Sequence, residues 1–352
     1  MSTVAEQLRA MLPVSPDAYP QNLDLARGRL LVIFFDAAGY RAASFLDDRV
    51  LGPATRGSWL PLQDVLAAAR AVPAPRPLHF IFHTGHVGST LLSRLLDETG
   101  DVLGLREPLP LRVLADAGDG PSQPRPGSGA APFEALLEAM LRLWSRGYDS
   151  TRAVVVKATS SAGRLAMPLL EARPQSRAVY LNLRAEPYLA TLLGGPNSIT
   201  DLRGHGPGRL RRLGARVSAR LAPIEAMSPG ELAALGWLAE SLSQREALRR
   251  HPERVLGLDF DALLADAAGT LGRVLVHFGL EAPPAFLAGI AGSPVLQRYS
   301  KAPDQPFSPA LRLALLDASR RLNRDEIVRG LAWIEQLGRT EPPVAELLSA
   351  AA

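Results

Sequence analysis

One stretch of the chain has residue types and spacing suited to binding an anion: HTGHVGSTLL, residues 83–92. It follows the apolar run LHFIF and leads into leucines at helical spacing, which predicts a strand, a loop and a helix. Gly85 and Gly88 allow the backbone to turn tightly and bring its N–H groups close to a ligand. The helix is expected to begin at Ser89 or Thr90, so its positive end faces the loop. The pattern predicts a phosphate site, although an ordinary glycine-containing connection fits it too.

Two common nucleotide-binding motifs do not fit this loop. A Walker A loop requires G-x4-G-K-[ST], with a lysine that reaches the phosphates, and no lysine lies here. A Rossmann fingerprint requires G-x-G-x-x-G, which is also missing. What remains is a short loop that ends in G-S-T-L-L at the start of a helix.

Polar residues also follow three further predicted strands. Glu107 follows VLGLR, Lys157 ends RAVVVK, and Arg184 follows RAVYLNL. Of the 39 basic residues only Lys157 and Lys301 are lysines, in a chain whose composition favours arginine. The alternation of strands and helices predicts a parallel sheet, and ligands bind beyond the carboxyl ends of such strands. One nucleotide could therefore contact all these groups, although each alone also fits an ordinary polar strand end.

The stretch FIFHTGHVGSTLLSRLLDETGDVLGLREPLPLRVL resembles the start of the sulfotransferase superfamily, particularly the tyrosylprotein-sulfotransferase branch and related bacterial proteins. These enzymes use 3′-phosphoadenosine 5′-phosphosulfate (PAPS), and the resemblance covers roughly residues 78–305. It implies an α/β fold, a three-layer P-loop-type parallel sheet with helices on both faces. It also implies that the loop binds the 5′-phosphosulfate through His83, Thr84, Gly85, His86, Val87, Gly88, Ser89 and Thr90.

The resemblance also assigns roles to residues outside the loop. Glu107 occupies the place of the general base that takes a proton from the acceptor, and Lys157 and His86 would offset charge at the transferring group. The alternatives for Glu107 are an ion pair with Arg106 or a carboxylate at a helix N-terminus. The remaining candidates bind the rest of the nucleotide: Arg184 with Thr191 or Ser198 at the 3′-phosphate, and Arg298 and Lys301 in a late basic segment that folds over it.

Two positions depart from the family pattern. Leu192 stands eight residues after Arg184, where the family has a 3′-phosphate serine. His86 stands where many members carry lysine or arginine, and histidine is fully charged only below its pKa of about 6.5. An anionic cofactor nearby would raise that pKa, so a protonated His86 is a hypothesis that the sequence leaves open.

Three segments are expected along the chain. Residues 1–75 would form a small α+β appendage, with strands at Arg29–Phe35 and Arg41–Asp47, a turn between them and a helix at Leu60–Ala71. Residues 76–290 would form the sulfotransferase-like α/β domain. Residues 291–352 would add the segment that covers the nucleotide and C-terminal helices of the same domain.

Composition limits the classes of molecule that this protein is expected to bind. The 352-residue chain has a formal charge of +4, no cysteine and no basic stretch interleaved with aromatics, so we expect no nucleic acid and no thiolate metal site. No signal-peptide stretch or membrane-spanning run is visible, and a cytoplasmic location is expected. The expected partners are the nucleotide donor, without a metal, and an unidentified acceptor hydroxyl or amine.

Two stretches of biased composition have alternative interpretations. The Arg-rich stretch 194–220 could line an anionic substrate site but reads more simply as a solvated surface, and the Gly/Pro-rich stretch 118–131 could form a mobile lid.

Two other functions compete with this interpretation. A kinase would need a magnesium carboxylate after a strand. The run RVLGLDF, residues 254–260, predicts a further strand, followed by a helix over residues 261–278, and Asp259 and Asp261 at this junction are the candidates. A non-catalytic protein that binds a nucleotide or a partner would fit both departures from the family pattern.

Overall fold

The computed structural model describes residues 2–119, 132–195 and 198–351, with the side chains of Ser198, Ala350 and Ala351 excepted. Within these residues the strands are β1 Ala18–Asp24, β2 Arg29–Phe34, β3 Gly57–Pro61, β4 Leu78–His83, β5 Val102–Arg106, β6 Ala153–Lys157, β7 Ala178–Asn182, β8 Val255–Asp259, β9 Arg298–Tyr299 and β10 Ala302–Pro306. Strands β1–β3 form an antiparallel sheet, and β9 pairs with β10. The central sheet is parallel, in the order β5-β6-β4-β7-β8.

Helices precede the central sheet, alternate with its strands and follow it. Those up to the last central strand are α1 Val4–Met11, α2 Ala37–Ala42, α3 Leu62–Arg70, α4 Ser89–Asp97, α5 Leu109–Gly118, α6 Phe133–Trp144, α7 Ala166–Ala172, α8 Ala185–Leu193, α9 Ser198–Gly214 and α10 Pro229–Arg250. Those after it are α11 Phe260–Ala265, α12 Ala267–His277, α13 Pro284–Gly289, α14 Pro309–Leu322, α15 Arg324–Thr340 and α16 Pro342–Ala351. Among the described residues no helix combines the length and the apolar character needed to cross a membrane.

Strands β4, β5 and β6 are buried throughout, β7 is buried except at Asn182, and β8 is partly exposed. The alternation of side chains along these strands divides the apolar ones between two cores. In β4, Phe80 and Phe82 face a core shared with the N-terminal sheet, α3, α5 and α6. Ile81, between them, faces a core shared with α4, α8, α10, α12 and α15. Because successive side chains of a strand point to opposite faces, this division places helices on both sides of the sheet. The predicted α/β class with a parallel sheet between helices is confirmed.

All five central strands lie where the apolar runs predicted them, and α4 begins at Ser89 as expected. The prediction was wrong before residue 75, where Arg41–Asp47 is not a strand. The expected turn there is the start of α2, because the side chain of Asp36 accepts the Gly39 amide and caps the helix (2.8 Å). The two strands that were not predicted are β1 and β3. They contain Pro20 and Pro61, and apolar and polar residues do not alternate regularly along them.

One later prediction also needs correction, and one later helix was not predicted. The helix expected to follow β8 without a break is divided into α11 and α12 at Asp266, whose side chain accepts the Gly269 amide (2.8 Å) and caps α12. The Arg-rich stretch 194–220 contains a helix, α9, despite Pro207. The expected lid falls largely on residues 120–131, which lie outside the described residues.

Candidate functional site

The loop between β4 and α4 has a tightly turned backbone. Gly85, His86 and Gly88 have positive φ angles of 108°, 54° and 74°. At Gly88 a β-carbon would lie 2.2 Å from the Phe260 ring, so both the conformation and the space require glycine. His86 adopts the same region with a β-carbon, and such strained residues cluster at functional sites.

Hydrogen-bond donors of this loop are free for a ligand. Gly88 occupies the N-cap position of α4 and provides no side-chain hydrogen bond to the helix. In the described part of the chain, the amides of residues 85–88 donate to no protein group. The hydroxyl of Thr90 is buried and also has no partner. Since a buried polar group without a partner is costly, these donors favour a bound anion at the start of α4.

Other loop residues hold the backbone in place. Thr84 Oγ1 donates to Asn182 Oδ1 (3.0 Å), and the Tyr188 hydroxyl donates to the Thr84 carbonyl (3.0 Å). His83 Nε2 donates to the Ala158 carbonyl (2.8 Å), and Val87 is fully buried. Burial, and then the charge of Lys157, lowers the pKa of His83 well below its ordinary value. The structure therefore directs His83, Thr84 and Val87 into the protein, where they support the loop.

Glu107 and Lys157 form an ion pair at the ends of two adjacent strands. The Lys157 ammonium donates to Glu107 Oε1, and the Glu107 amide donates to the Lys157 carbonyl (2.7 Å). Lys157 is fully buried, whereas 9% of Glu107 is exposed. Burial lowers the pKa of Lys157 to about 8, although the carboxylate of Glu107 opposes this shift. Glu107 has a φ of 55°, the second strained residue of this edge.

Neither structural alternative for Glu107 is formed. Arg106 is fully buried and turned away, where it pairs with Asp97 and donates to the Ala43 carbonyl (2.7 Å). Pro108, not Glu107, occupies the N-cap position of α5, which has no side-chain cap. Glu107 is therefore free of both contacts and is held by Lys157.

A segment of the N-terminal region encloses Glu107, which the sequence did not predict. The Leu46 amide donates to the Arg106 carbonyl (2.7 Å), and the Leu46 carbonyl accepts the Leu109 amide (3.3 Å). The ring of the preceding Phe45 lies 5.9 Å from Lys301 Nζ. Lys301 thus lies beside the site, and burial lowers its pKa. No motif signalled this contact, since it joins parts of the chain distant in sequence.

His86 is exposed, and three cationic side chains lie near it. The crowded surroundings, and then the charges of Lys301, Arg209 and Lys157, lower the pKa of His86 to about 3. Its side chain reaches solvent, and all three charges act in the same direction. Without a bound anion His86 is neutral at pH 7.

The predicted ligands of the 3′-phosphate and the late basic segment are less closely associated with the loop. Arg184 is exposed at the end of β7, next to β4 in the sheet. Thr191 Oγ1 donates to the Pro187 carbonyl of its own helix (2.7 Å). Ser198 begins α9, and its side chain lies outside the described residues. Arg298 is exposed in β9.

The carboxylates that a kinase would need have structural partners. Asp259 caps α11 by accepting the Ala262 amide (3.0 Å). Asp261 pairs with Arg312 (2.7 Å). Both arrangements favour a structural role over magnesium binding.

Sequence reasoning missed a buried cluster on α9 and α10. Glu240 is fully buried, and its Oε1 accepts Arg209 Nε (3.3 Å) and Arg212 Nη2 (2.7 Å). The interpretation of 194–220 as a solvated surface is wrong for these two arginines, although Arg203 and Arg211 are exposed. The available signal was Glu240 itself, a carboxylate within an apolar stretch of the long helix.

Comparison with known proteins gives only distant matches to solved structures. No family model matches the sequence, and no curated protein matches it. Among solved structures, the sulfotransferase domain from the curacin biosynthetic pathway is 15% identical with a TM-score of 0.39, covering 72% of this chain and 97% of that one. The sulfotransferase STF9 from Mycobacterium avium is 13% identical with a TM-score of 0.38, covering 91% of this chain and 97% of that one.

A third match is the mouse sulfotransferase SULT7A1 complexed with PAP, 11% identical with a TM-score of 0.34, covering 66% of this chain and 68% of that one. All three are sulfotransferases, the superfamily that the sequence resembles. At these identities and TM-scores the matches carry no argument about this chain, and the function proposed below rests on the side chains of the site.

Proposed function

We propose that this protein is a sulfotransferase that moves a sulfuryl group from PAPS to an acceptor hydroxyl or amine. One observation carries the proposal: the Glu107–Lys157 pair stands at the ends of β5 and β6, beside a loop after β4 whose donors are free. A carboxylate for the acceptor proton, a cation for the transferring group and an anion cradle are the parts such a transfer requires. The expected product is 3′,5′-adenosine bisphosphate (PAP).

The loop suits the 5′-phosphosulfate end of the donor. The buried, unpartnered Thr90 hydroxyl and the free amides of residues 85–88 provide donors for anionic oxygens. Gly88 leaves no side chain between the loop and Phe260. Arg184, Arg298 and Lys301 are the cations that we assign to the remaining nucleotide phosphate.

When bound, the donor supplies a sulfuryl group, which carries less charge than a phosphoryl group and can be transferred without a metal. In the free protein Lys157 neutralises Glu107. An anion in the loop attracts the Lys157 ammonium, which weakens its hold on the carboxylate. Glu107 then accepts the proton of the acceptor hydroxyl, and Lys157 offsets negative charge on the oxygens of the transferring and leaving groups.

Replacing the proposed base tests this assignment. We expect Glu107→Gln to lower the rate of sulfuryl transfer by about 10²–10⁴-fold, the usual contribution of a general base, and to change PAP affinity only a few-fold. Glu134→Gln, an exposed position on α6, is the matched control. Transfer would be followed with labelled PAPS and a panel of hydroxyl acceptors. Wild-type turnover in Glu107→Gln would refute the role of Glu107.

A second candidate is a protein that binds the nucleotide without catalysis. It is favoured by the neutral His86 and by the pairing of Glu107 with Lys157 in the free protein. Thermal unfolding with PAP, AMP or ATP–Mg²⁺ separates the candidates, because a ligand at 100 times its Kd stabilises by about 2.7 kcal/mol. Stabilisation by PAP without transfer to any acceptor would favour the non-catalytic protein, and stabilisation by ATP–Mg²⁺ alone would favour a kinase.

A further inference from the structure

Arg209 is a buried cation that the proposed mechanism has not used. Only 6% of it is exposed, and its Nε donates to Glu240 Oε1 (3.3 Å). Arg212 Nη2 donates to the same oxygen (2.7 Å), so one buried carboxylate holds two guanidinium groups. Charges are rarely buried without a partner or a function, and here two cations share a single anion.

The free end of Arg209 lies near the loop. A β-carbon added at Gly236 would lie 3.3 Å from Arg209 Nη1 and 3.5 Å from the Tyr188 hydroxyl. That hydroxyl donates to the Thr84 carbonyl and lies 3.6 Å from the corresponding position at Gly85. Tyr188 therefore lies near both the guanidinium and the start of the loop. Among the described residues, Nη1 and Nη2 of Arg209 have no hydrogen-bond partner.

The loop itself contains no lysine or arginine. His86 stands where the resembled family often carries lysine or arginine, and it is neutral in the free protein. Arg209 is close enough that its charge disfavours protonation of His86. The cation that is missing from the loop is therefore present beside it, on α9.

We propose that Arg209 binds the 5′-phosphosulfate of the donor through Nη1 and Nη2 and supplies the positive charge that His86 does not. Glu240 is a positioning residue, since it fixes the Nε side of the guanidinium and leaves the fork free. An arginine fork matches two anionic oxygens, which favours such a ligand over a single charged atom. This inference rests on the proposed function, because it takes PAPS to be the ligand.

The affinity for PAP, measured by isothermal titration calorimetry, tests the inference directly. We expect Arg209→Gln to weaken PAP binding by about 10–100-fold, as for the loss of hydrogen bonds to a charged group. Arg209→Lys should weaken it less, because lysine keeps the charge but not the fork. Arg203→Gln is the control, since Arg203 is exposed on the same helix, and should change affinity less than twofold.

A second substitution asks whether the charge can be returned to the loop. In the Arg209→Gln background, His86→Lys should recover at least tenfold of the lost affinity. PAP binding that is unchanged in Arg209→Gln, or in Arg209→Lys if only that variant folds, would overturn the inference and leave the proposed function standing. A wild-type protein that does not bind PAP would overturn both.

Discussion

At the scale of single residues, the sequence predicted candidate side chains but not the contacts between them. Glu107 and Lys157 were singled out separately, each as the polar residue after an apolar run. Their ion pair depends on β5 lying next to β6, and no local pattern specifies strand order. Burial of Lys157 at this position lowers its pKa to about 8, although the carboxylate of Glu107 opposes the shift. The chemistry of the pair could therefore be seen only in the fold.

The pKa of Lys157 predicts how donor affinity depends on pH. An anion binds best when Lys157 is protonated, so the affinity for PAP should fall as pH rises through about 8. In Lys157→Arg the charge persists to high pH, and this part of the dependence should disappear. Calorimetric titrations between pH 7 and pH 9.5 would measure both. An equal slope in the two proteins would contradict the assignment.

The lowered pKa of Lys157 also makes folding stability depend on pH, in the direction opposite to that of donor affinity. Lysine in an unfolded chain has a pKa of about 10.4, above the folded value of about 8. Between these pH values the unfolded chain binds the proton more strongly, so the contribution of Lys157 to the free energy of unfolding increases with pH. Donor affinity should therefore weaken over a range in which this contribution to stability grows.

At the scale of elements, the N-terminal region was the least predictable part of the fold. Its short strands carry prolines, and Asp36 starts a helix where the pattern indicated a turn. What organises it is contact with the central sheet: Arg106 donates to the Ala43 carbonyl, and Leu46 pairs with the backbone on both sides of Glu107. The N-terminal region, in which the sequence shows no motif, thus holds Glu107, the proposed base, in its strained conformation.

Two buried tyrosines of this region form a matched pair for testing that role. Tyr19 donates to the Leu46 carbonyl (2.8 Å), whereas Tyr40 donates to the Pro16 carbonyl (2.8 Å). Tyr19→Phe and Tyr40→Phe should each lower the free energy of unfolding by about 1 kcal/mol. Only Tyr19→Phe should also lower the rate of sulfuryl transfer, by a few-fold, because Leu46 encloses Glu107. Equal turnover in the two variants would show that the segment has no positioning role.

At the scale of the whole molecule, the five central strands could be predicted because each is a continuous apolar run, but the junctions between segments could not. Arg94, on the helix after the loop, shows why. Its Nε donates to the Ser300 carbonyl (2.9 Å), its Nη1 to the Arg41 carbonyl (3.3 Å) and its Nη2 to Ser44 Oγ (2.9 Å). One side chain joins three parts of the chain that are distant in sequence. Among the many arginines of this composition nothing marks it in advance.

The hydrogen bonds of Arg94 hold the turn that carries Lys301, so removing them should affect the proposed nucleotide site. We expect Arg94→Gln to increase deuterium exchange of residues 298–306 and to weaken PAP binding by several-fold. Arg254→Gln is a matched control: Arg254 is also half-buried and donates to backbone carbonyls, those of Leu170 (2.9 Å) and Pro174 (3.1 Å), before β8 begins. Both variants should lose stability, because each removes hydrogen bonds from a charged donor. If Arg254→Gln weakened PAP binding equally, the effect would reflect general destabilisation; a selective effect of Arg94→Gln would show that α4 couples the phosphate loop to the C-terminal turn.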